Sequence, residues 1–389
     1  MAYAVPQISD LLALDDTEAR QLWNWLLRRQ GLSAETRLGS VPEIAEMSLG
    51  LHAARLPSPY ATVLARSQSS TVALSLFSAS ARCKVTTVRC MRKTLHALPL
   101  SLAAAAHSAT VHFRERDALR AAAKAGMSAR QVTLSTEAIA EFLQRNGPVH
   151  HRDIEACLTA CGLSVIAVRV GLKLAWERGT VTYHNDVTGW NRECRKFSLT
   201  HLVYPKLDMA MNRDQATGHL LEAYFDRYGP ASLRDATWWS GLSRTAVVTA
   251  MNESAYDIVA VKTPWADAPL YMFRDRLAEY ATASSNGVGT GINFLAHEDV
   301  ALKAYFESRE RYLGALPSNR AFNRIGEVLP TIVLDGQVVG TWSWDARSQM
   351  VTVKLVRELG SRDFHRAIKR HAAALTCSLR AGLVTTLAN

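Results

Sequence analysis

Long apolar runs are missing from this chain of 389 residues. The longest candidate, residues 98–113, is interrupted by Pro99, His107 and Ser108, so it is not typical of a membrane-spanning helix. The first twenty residues carry acidic side chains and no basic segment, which is unlike a signal peptide. We therefore expect a cytoplasmic protein that has no membrane partner.

A disulfide framework is also missing. The chain has six cysteines, and their spacing follows no recognisable pairing pattern, which suits a reducing cytoplasm. Cys157 and Cys161 are four residues apart on a predicted helix near His150 and His151. Zinc is conceivable there, but no second pair with ligand spacing exists, and small helix residues are the simpler interpretation. We predict no metal.

Phosphate-binding and nucleophile motifs are missing as well. The segment 287–291 reads Gly-Val-Gly-Thr-Gly, but no strand precedes it, no helix follows it, and it lacks the lysine of a phosphate loop. The wider stretch 281–291 is small, polar and glycine-rich, which is typical of a linker. No Ser-His-Asp order is recognisable. The sequence therefore predicts no cofactor.

Positive charge is abundant. Lys and Arg number 45 against 35 Asp and Glu, which gives a net charge of +10 and a pI near 9.4. Such an excess attracts polyanions through Coulomb forces and counterion release. Charge alone does not distinguish a protein that binds nucleic acid from a generically basic globular protein.

An internal repeat is the most informative pattern. Residues 145–164 and 227–243 share Arg-x-Gly-Pro-x-x-x-Arg-Asp followed by Gly-Leu-Ser, and each is preceded by an apolar-periodic helix. Helix, Gly-Pro stop, helix, Gly-Leu-Ser turn, helix and hairpin is the order of a winged helix-turn-helix. Two copies in a basic chain favour a nucleic-acid partner.

The chain is too long for one ordinary core, and 48% hydrophobic with 21% charged residues is typical of globular domains. We predict an α+β protein with tandem winged helix-turn-helix domains followed by a small C-terminal β-barrel. Residues 1–130 are predicted as a helical or degenerate winged-helix region, 131–205 and 206–280 as winged helices, and 281–389 as the linker plus barrel. In the last region we expect a helix over 297–313, a β-meander with an Asp-Gly turn, and a closing helix.

Basic residues in the repeats are the candidate nucleic-acid contacts. Arg169 and Lys173 are four residues apart, so they share one face of the predicted recognition helix 165–178. The equivalent helix of the second copy is almost uncharged beyond Arg244. Arg152 lies where helix 2 of the first copy begins, a place where phosphates are often bound, although a solvated turn is an equal alternative.

Histidine and arginine concentrate in a second place. Segments 50–67 and 91–99 carry His52, Arg55, Arg66, Arg92 and His96 around proline-bounded turns. A histidine at a turn can orient a water, and an arginine can neutralise a phosphate. Ordinary surface turns are the alternative.

Four phrases together resemble one known family. They are GLHAARLPSPYATVLAR, MRKTLHALP, RYGPASLRDATWWSGL and VLPTIVLDGQVVGTW, and they are similar to those of the AlkZ-like DNA glycosylases over about residues 15–360. The resemblance implies three tandem winged helices and a C-terminal β-barrel that grip duplex DNA in a basic channel. It also implies hydrolysis of the N-glycosidic bond of bulky N7-alkylated purines, which in some members protects the producer of a genotoxin.

The catalytic phrase of that family is Gln-x-Gln, with Gln-x-Asp and His-x-Gln variants, at the position of His52-Ala53-Ala54. His52 matches the histidine variant, and it is our candidate for positioning water. Arg55, Arg92 and His96 are expected to line the site. Ala54 departs from the pattern because it has no polar side-chain atom.

The departure at Ala54 leaves two alternatives open. One is a DNA-binding protein without catalysis, and the other is a biosynthetic enzyme that uses the scaffold for another substrate, for example a charged tRNA. In every case we expect a monomer.

Overall fold

The computed structural model describes residues 5–283 and 289–384. Residues 284–288, which form the middle of the predicted linker, lie outside the described residues. The described part is an α+β fold with sheets of six, four and three strands. The α+β class is therefore confirmed.

The N-terminal region is mainly helical, as predicted. Asp15 begins α1 with a capping box that includes Glu18, and Ser40 caps α2. Residues 84–99 form a hairpin of strands β3 and β4. The elements of this region are β1 (Asp10–Ala13), α1 (Asp16–Arg29), α2 (Val41–Met47), β2 (Leu51–His52), α3 (Ser58–Arg66), α4 (Ser70–Leu74), α5 (Ala79–Arg82), β3 (Val85–Arg89), β4 (Leu95–Pro99) and α6 (Leu100–Lys124).

The two repeat copies follow and have the same order of elements, except that the strand Val149–His150 of the first copy has no counterpart among the described strands of the second. The first contains α7 (Ala129–Asn146), β5 (Val149–His150), α8 (His151–Ala160), α9 (Val165–Glu177), β6 (Val181–Asn185), β7 (Arg195–Leu199) and α10 (Thr200–Val203). The second contains α11 (Arg213–Tyr228), α12 (Leu233–Ser240), α13 (Arg244–Glu253), β8 (Ile258–Thr263), β9 (Ala266–Phe273) and α14 (Arg274–Thr282). Helix, helix, helix and hairpin therefore occur twice, where the repeat predicts them.

The repeated serine and glycine of the motif have local structural reasons. Ser164 and Ser243 accept the amide hydrogens of Ala167 and Ala246, so each caps the third helix of its copy. A Cβ on Gly229 would come within 2.5 Å of the carbonyl oxygen four residues earlier, at the C-terminus of α11. Each motif therefore encodes the end of the first helix and the start of the third helix of its copy.

Strands from the N-terminal region complete the sheets of both copies. The six-stranded sheet has the order β2-β4-β3-β6-β7-β5, and Thr87 pairs with Tyr183 where the two hairpins meet. Strand β1 pairs in parallel with β8 in the three-stranded sheet. Because the hydrogen bonding runs across residues 130 and 206, the N-terminal region packs as one body with the repeats. The division into domains at these residues remains a prediction.

The C-terminal region forms an open sheet, so the predicted closed β-barrel is wrong. The order is β10-β11-β12-β13, and the two outer strands are not paired with each other. The sheet buries one face under a long amphipathic helix, whose Ile368 and Leu379 are buried, and this covers the apolar surface without closure. The elements are β10 (Ile292–Leu295), α15 (Val300–Lys303), α16 (Glu310–Leu313), β11 (Thr331–Leu334), β12 (Gln337–Asp345), β13 (Met350–Leu355) and α17 (Arg362–Ala381).

The single helix predicted over 297–313 is also wrong, because the chain there forms the two short helices α15 and α16. Between them, the carboxylate of Asp235 accepts the amide hydrogens of Phe306 and Glu307, both at 2.6 Å. A distant side chain thus takes the donors that a continuous helix would use internally. The β-meander and the closing helix α17 are confirmed.

A buried ion pair joins the N-terminal region to the C-terminal region. The guanidinium of Arg66 at the end of α3 donates to both carboxylate oxygens of Asp299 at 2.7 and 2.9 Å, and both side chains are fully buried. Asp299 also caps α15 by accepting the amide hydrogen of Ala301. Arg66 therefore has a structural position in the interior, and the surface-turn interpretation of this residue is wrong.

We expect Arg66→Met and Asp299→Leu to lower the free energy of unfolding by about 3–5 kcal/mol each, because either one leaves a buried charge unpaired. The double variant should recover most of that loss, since no buried charge remains. Urea denaturation of the four proteins measures both effects. Losses in the double variant that equal the sum of the single losses would contradict this account.

Candidate functional site

His52 of the candidate catalytic phrase and His96 meet at the edge of the six-stranded sheet. His52 on β2 pairs in register with His96 on β4, and their ring centroids lie 5.5 Å apart in an edge-on arrangement. Both side chains are buried. The Nδ1 atom of His96 donates to the carbonyl of Thr94 at 3.3 Å, so the tautomer leaves Nε2 as an acceptor. His52 and His96 are thus neighbouring side chains on paired strands.

A carboxylate from the C-terminal region faces these histidines. Oε2 of Glu298 lies 4.0 Å from Nε2 of His52, and it also accepts from the ammonium of Lys303. The other oxygen, Oε1, accepts the amide hydrogen of Val328 at 2.6 Å. All of the side chains in this group are nearly fully buried. Residues of the N-terminal and C-terminal regions therefore form one polar cluster.

A polar path leads from His52 to the surface. The ring of His52 lies 6.3 Å from that of His297, whose Nε2 is 3.5 Å from Glu327, and Glu327 in turn accepts from Arg55 at 2.8 Å. The exposed fraction of the side chains rises along this path from 3% to 13%, 23% and 55%. Arg55 is therefore at the rim of the site and His52 at its base.

Arg92 closes the site on another side. Its guanidinium carbon lies 3.6 Å from the ring centroid of Trp238, and its Nη1 is buried without a hydrogen-bond partner in the described part of the chain. Burial lowers the pKa of Arg92, and the carboxylates of Glu298 and Glu327 oppose that shift. His52 thus faces Glu298, Arg55 pairs with Glu327, and Arg92 interacts electrostatically with both carboxylates. His96 contacts the ring of His52. Trp239, the neighbouring indole, is buried among core aromatics.

His52 and His96 are neutral. Burial, with the positive charge of Lys303, lowers the pKa of His52 far below its ordinary range and lowers that of His96 to about 3. A neutral imidazole carries one donor and one acceptor. The Nδ1 atom of His52 has no hydrogen-bond partner among the described residues, so one polar atom of this ring is available for a small polar ligand such as water.

Three of the four predicted nucleic-acid contacts line one cleft. Arg152 at the start of α8 and Arg169 and Lys173 on α9 are exposed around a cavity of about 640 Å³. Arg89 and Arg195 add two more cations from β3 and β7, and Trp176 provides an apolar wall. Arg169 is held by Glu155 through two hydrogen bonds of 2.6 and 3.0 Å.

Arg244 lies elsewhere. With Arg234, it lines a separate depression of about 390 Å³ between α12, α13 and the β9 strand. The structure thus brings Arg152, Arg169 and Lys173 together and does not bring Arg244 to them. His150 caps α8 by accepting the amide hydrogen of Arg152, so helix 2 begins where the motif predicts.

Sequence reasoning missed the C-terminal half of the cluster. His297, Glu298 and Lys303 were placed on one predicted helix, with no reason to separate them from a solvated face. One signal was present: three consecutive ionisable residues, 297–299, follow the mostly buried strand β10 after a single alanine. Side chains at strand ends often serve function, and Glu298 has a left-handed φ of 56°, which is unusual for a non-glycine residue.

Two further kinds of feature concern metal-ligand clusters and membrane-spanning helices in the described residues. No group of three or more His, Cys, Asp or Glu residues suited to a metal ion occurs within residues 5–283 and 289–384. Within the same residues, no helix combines the length and apolar character required to cross a bilayer. All six cysteines are free thiols.

The fold is similar to that of a DNA glycosylase. It matches the Streptomyces sahachiroi DNA glycosylase AlkZ with a TM-score of 0.72 and 20% sequence identity, over 93% of this chain and 96% of that chain. The family model for DNA glycosylase AlkZ-like proteins matches residues 46–377, and the chain belongs to this family. No curated protein sequence matches the chain. The family resemblance seen in the sequence is thus confirmed.

We expect the protein to lose stability as pH falls below about 6.5, the ordinary pKa of histidine in an unfolded chain. Burial lowers the pKa of His96 and His107 to about 3 in the folded state, so the unfolded state binds protons first and unfolding is favoured in acid. Each such histidine costs about 1.4 kcal/mol per pH unit below 6.5.

Urea denaturation at about pH 7.5 and about pH 5.5 measures this loss, and His107→Asn should show a smaller one. A free energy of unfolding that is equal at the two pH values would refute the assignment of neutral buried histidines.

Proposed function

We propose that this protein hydrolyses the N-glycosidic bond of N7-alkylated purines in duplex DNA. The observation that carries the proposal is the buried, neutral His52, whose Nε2 lies 4.0 Å from the carboxylate of Glu298 and whose ring lies at the base of a polar path to the surface. Membership of the AlkZ-like DNA glycosylase family supports the class of reaction.

Hydrolysis of this N-glycosidic bond requires little help from a general acid. Alkylation at N7 gives the purine a positive charge, so the base leaves as a neutral molecule without being protonated. The enzyme must place a water at C1′ and stabilise the positive charge that develops on the sugar. A neutral histidine serves the first need, and a carboxylate nearby serves the second.

The four candidate residues take separate roles in this proposal. His52 positions the water, and His96 holds the ring of His52 against β4. Arg55 and Arg92 lie at the rim and the side of the site, where a guanidinium can bind the phosphates that flank the target nucleotide. The alkylated base enters along the path from Arg55 to His52.

The two repeat copies act as winged helices in this proposal. Helix α9 and the start of α8 form the DNA-facing surface of the first copy, with Arg152, Arg169 and Lys173 on backbone phosphates. A phosphate would compete with Glu155 for Arg169, because both are anions suited to a bidentate guanidinium. Arg244 contacts the backbone at a second place, outside this cleft.

The protein acts as a monomer in the cytoplasm and without a cofactor or a metal in this proposal. Protection of a cell that makes a DNA-alkylating compound is the physiological role that fits a bulky substrate. The two alternatives, a DNA-binding protein without catalysis and an enzyme that uses a charged tRNA, are outcomes of the experiments below.

Purified protein should release N7-alkylguanine from alkylated duplex DNA above the spontaneous rate, and His52→Ala should reduce that release by at least about 10²-fold because it removes the contact to water. Chromatography of the released base under single-turnover conditions measures the rate. His107→Asn, which alters a buried histidine outside the cluster, should stay close to the wild-type rate. Release that persists in His52→Ala would remove this residue from the mechanism. DNA binding with no release of the base would favour the DNA-binding protein without catalysis. Stronger binding of tRNA than of duplex DNA would favour the enzyme that uses a charged tRNA.

Arg152→Ala/Lys173→Ala should weaken duplex binding and reduce the slope of log affinity against log salt by about 2, since each phosphate contact contributes about 0.9. Fluorescence anisotropy across a salt series measures the slope. Arg20→Ala/Arg347→Ala removes the same charge from exposed residues of α1 and the β12–β13 turn, and it should leave the slope unchanged. Equal slopes for the two double variants would exclude the cleft as the interface.

A further inference from the structure

Position 54 provides no polar group to the reaction. Ala54 is exposed two residues after His52, and its side chain is a methyl group. In the family phrase a glutamine or an aspartate stands at this position beside the first residue. A water held by His52 alone would have one anchor, and its lone pair would not be directed at C1′.

Glu298 has the geometry to replace that missing anchor. Its Oε2 atom lies 4.0 Å from Nε2 of His52, a separation too long for a direct hydrogen bond and suited to one bridging water. A carboxylate oxygen accepts two hydrogen bonds, and Lys303 uses only one of those at Oε2. Oε1 is engaged separately by the amide of Val328 at 2.6 Å. The carboxylate is thus fixed in orientation, and Oε2 retains one accepting position.

We propose that Glu298 is the second catalytic residue: together with His52 it holds the attacking water, and it accepts the proton that this water loses. The inference rests on the proposed glycosylase function. It assigns to a residue of the C-terminal region the role that position 54 has in the family phrase.

The step balances in atoms and charge. The water oxygen bonds to C1′ as the bond from C1′ to N9 of the purine breaks, and the electron pair of that bond neutralises the cationic base. One proton of the water passes to the carboxylate of Glu298 and from there to solvent. The products are a sugar with a hydroxyl at C1′ and a neutral N7-alkylated purine.

The backbone around Glu298 is shaped to hold this side chain in place. Its φ of 56° is costly for a residue with a Cβ, and such strain persists only where the surroundings enforce it. The neighbouring Asp299 is fixed by the buried Arg66. The strained turn therefore directs two successive carboxylates to different partners, Asp299 to Arg66 and Glu298 to Lys303 within 4.0 Å of His52.

A pair of double variants tests the assignment. Glu298→Met/Lys303→Met replaces the buried ion pair by apolar side chains of similar volume, a change that is often neutral for stability. We expect single-turnover release of N7-methylguanine and of a bulkier mustard-alkylated guanine to fall about 10²–10³-fold, with DNA affinity within severalfold of wild type. Glu298→Gln/Lys303→Met keeps an oxygen that can hold water, and it should recover at least about tenfold of that loss.

Position 54 gives a rescue that a purely structural role of Glu298 would not show. Ala54→Gln should raise the release rate by about tenfold in the Glu298→Met/Lys303→Met background and by much less in the wild type. Glu298→Gln alone keeps the shape of the side chain, so it tests the proton-accepting role even if the double variants fold poorly. We expect it to lower the release rate and to leave DNA affinity unchanged.

Each other outcome has one meaning. Release within threefold of wild type in Glu298→Met/Lys303→Met or in Glu298→Gln overturns the role of Glu298 and leaves the proposed function intact. An equal effect of Ala54→Gln in both backgrounds, including no effect, also overturns it. A wild-type protein that releases neither base overturns the proposed function and this inference together.

Discussion

The ion pair between Arg66 and Asp299 is the constraint on which the site depends. It joins helix α3, which follows the His52 strand, to the turn that carries Glu298, and it does so with two hydrogen bonds between fully buried groups. Separating the two side chains would leave an unpaired charge in the interior, which is energetically costly. The pair therefore holds the N-terminal and C-terminal regions together at this point. Because Glu298 is adjacent to Asp299, the same constraint holds the backbone of Glu298 near His52, and Lys303 and the amide of Val328 hold its carboxylate 4.0 Å from the ring.

The six-stranded sheet connects this site to the basic cleft. His96 lies on β4, and the neighbouring strand β3 carries Arg89, which lines the cleft and pairs with Glu177 at 2.9 Å. Glu177 also accepts from the buried Arg114 on α6. Phosphate binding at the cleft and base excision at His52 would therefore take place on one rigid frame. In the proposed function, that frame fixes the distance between the bound backbone and the extruded base.

Local patterns predicted much of the fold. The Gly-Pro and Gly-Leu-Ser phrases encode helix ends and caps that involve residues only a few positions apart, and the Asp-Gly turn encodes a hairpin in the same way. The errors have long-range causes. The helix over 297–313 is divided by Asp235, about 70 residues away, and the barrel is replaced by an open sheet because α17 covers its apolar face.

The sequence by itself determined the family, the repeat, the basic charge and the candidate residues His52, Arg55, Arg92 and His96, because each of these is a matter of residue type and short spacing. Only the tertiary structure decided that Glu298 and Lys303 join His52, that Arg66 is buried, and that Arg244 lies apart from Arg152, Arg169 and Lys173. The physical reason is distance along the chain. Contacts between residues some 240 positions apart depend on how whole elements pack, and no periodicity or spacing in one segment encodes them.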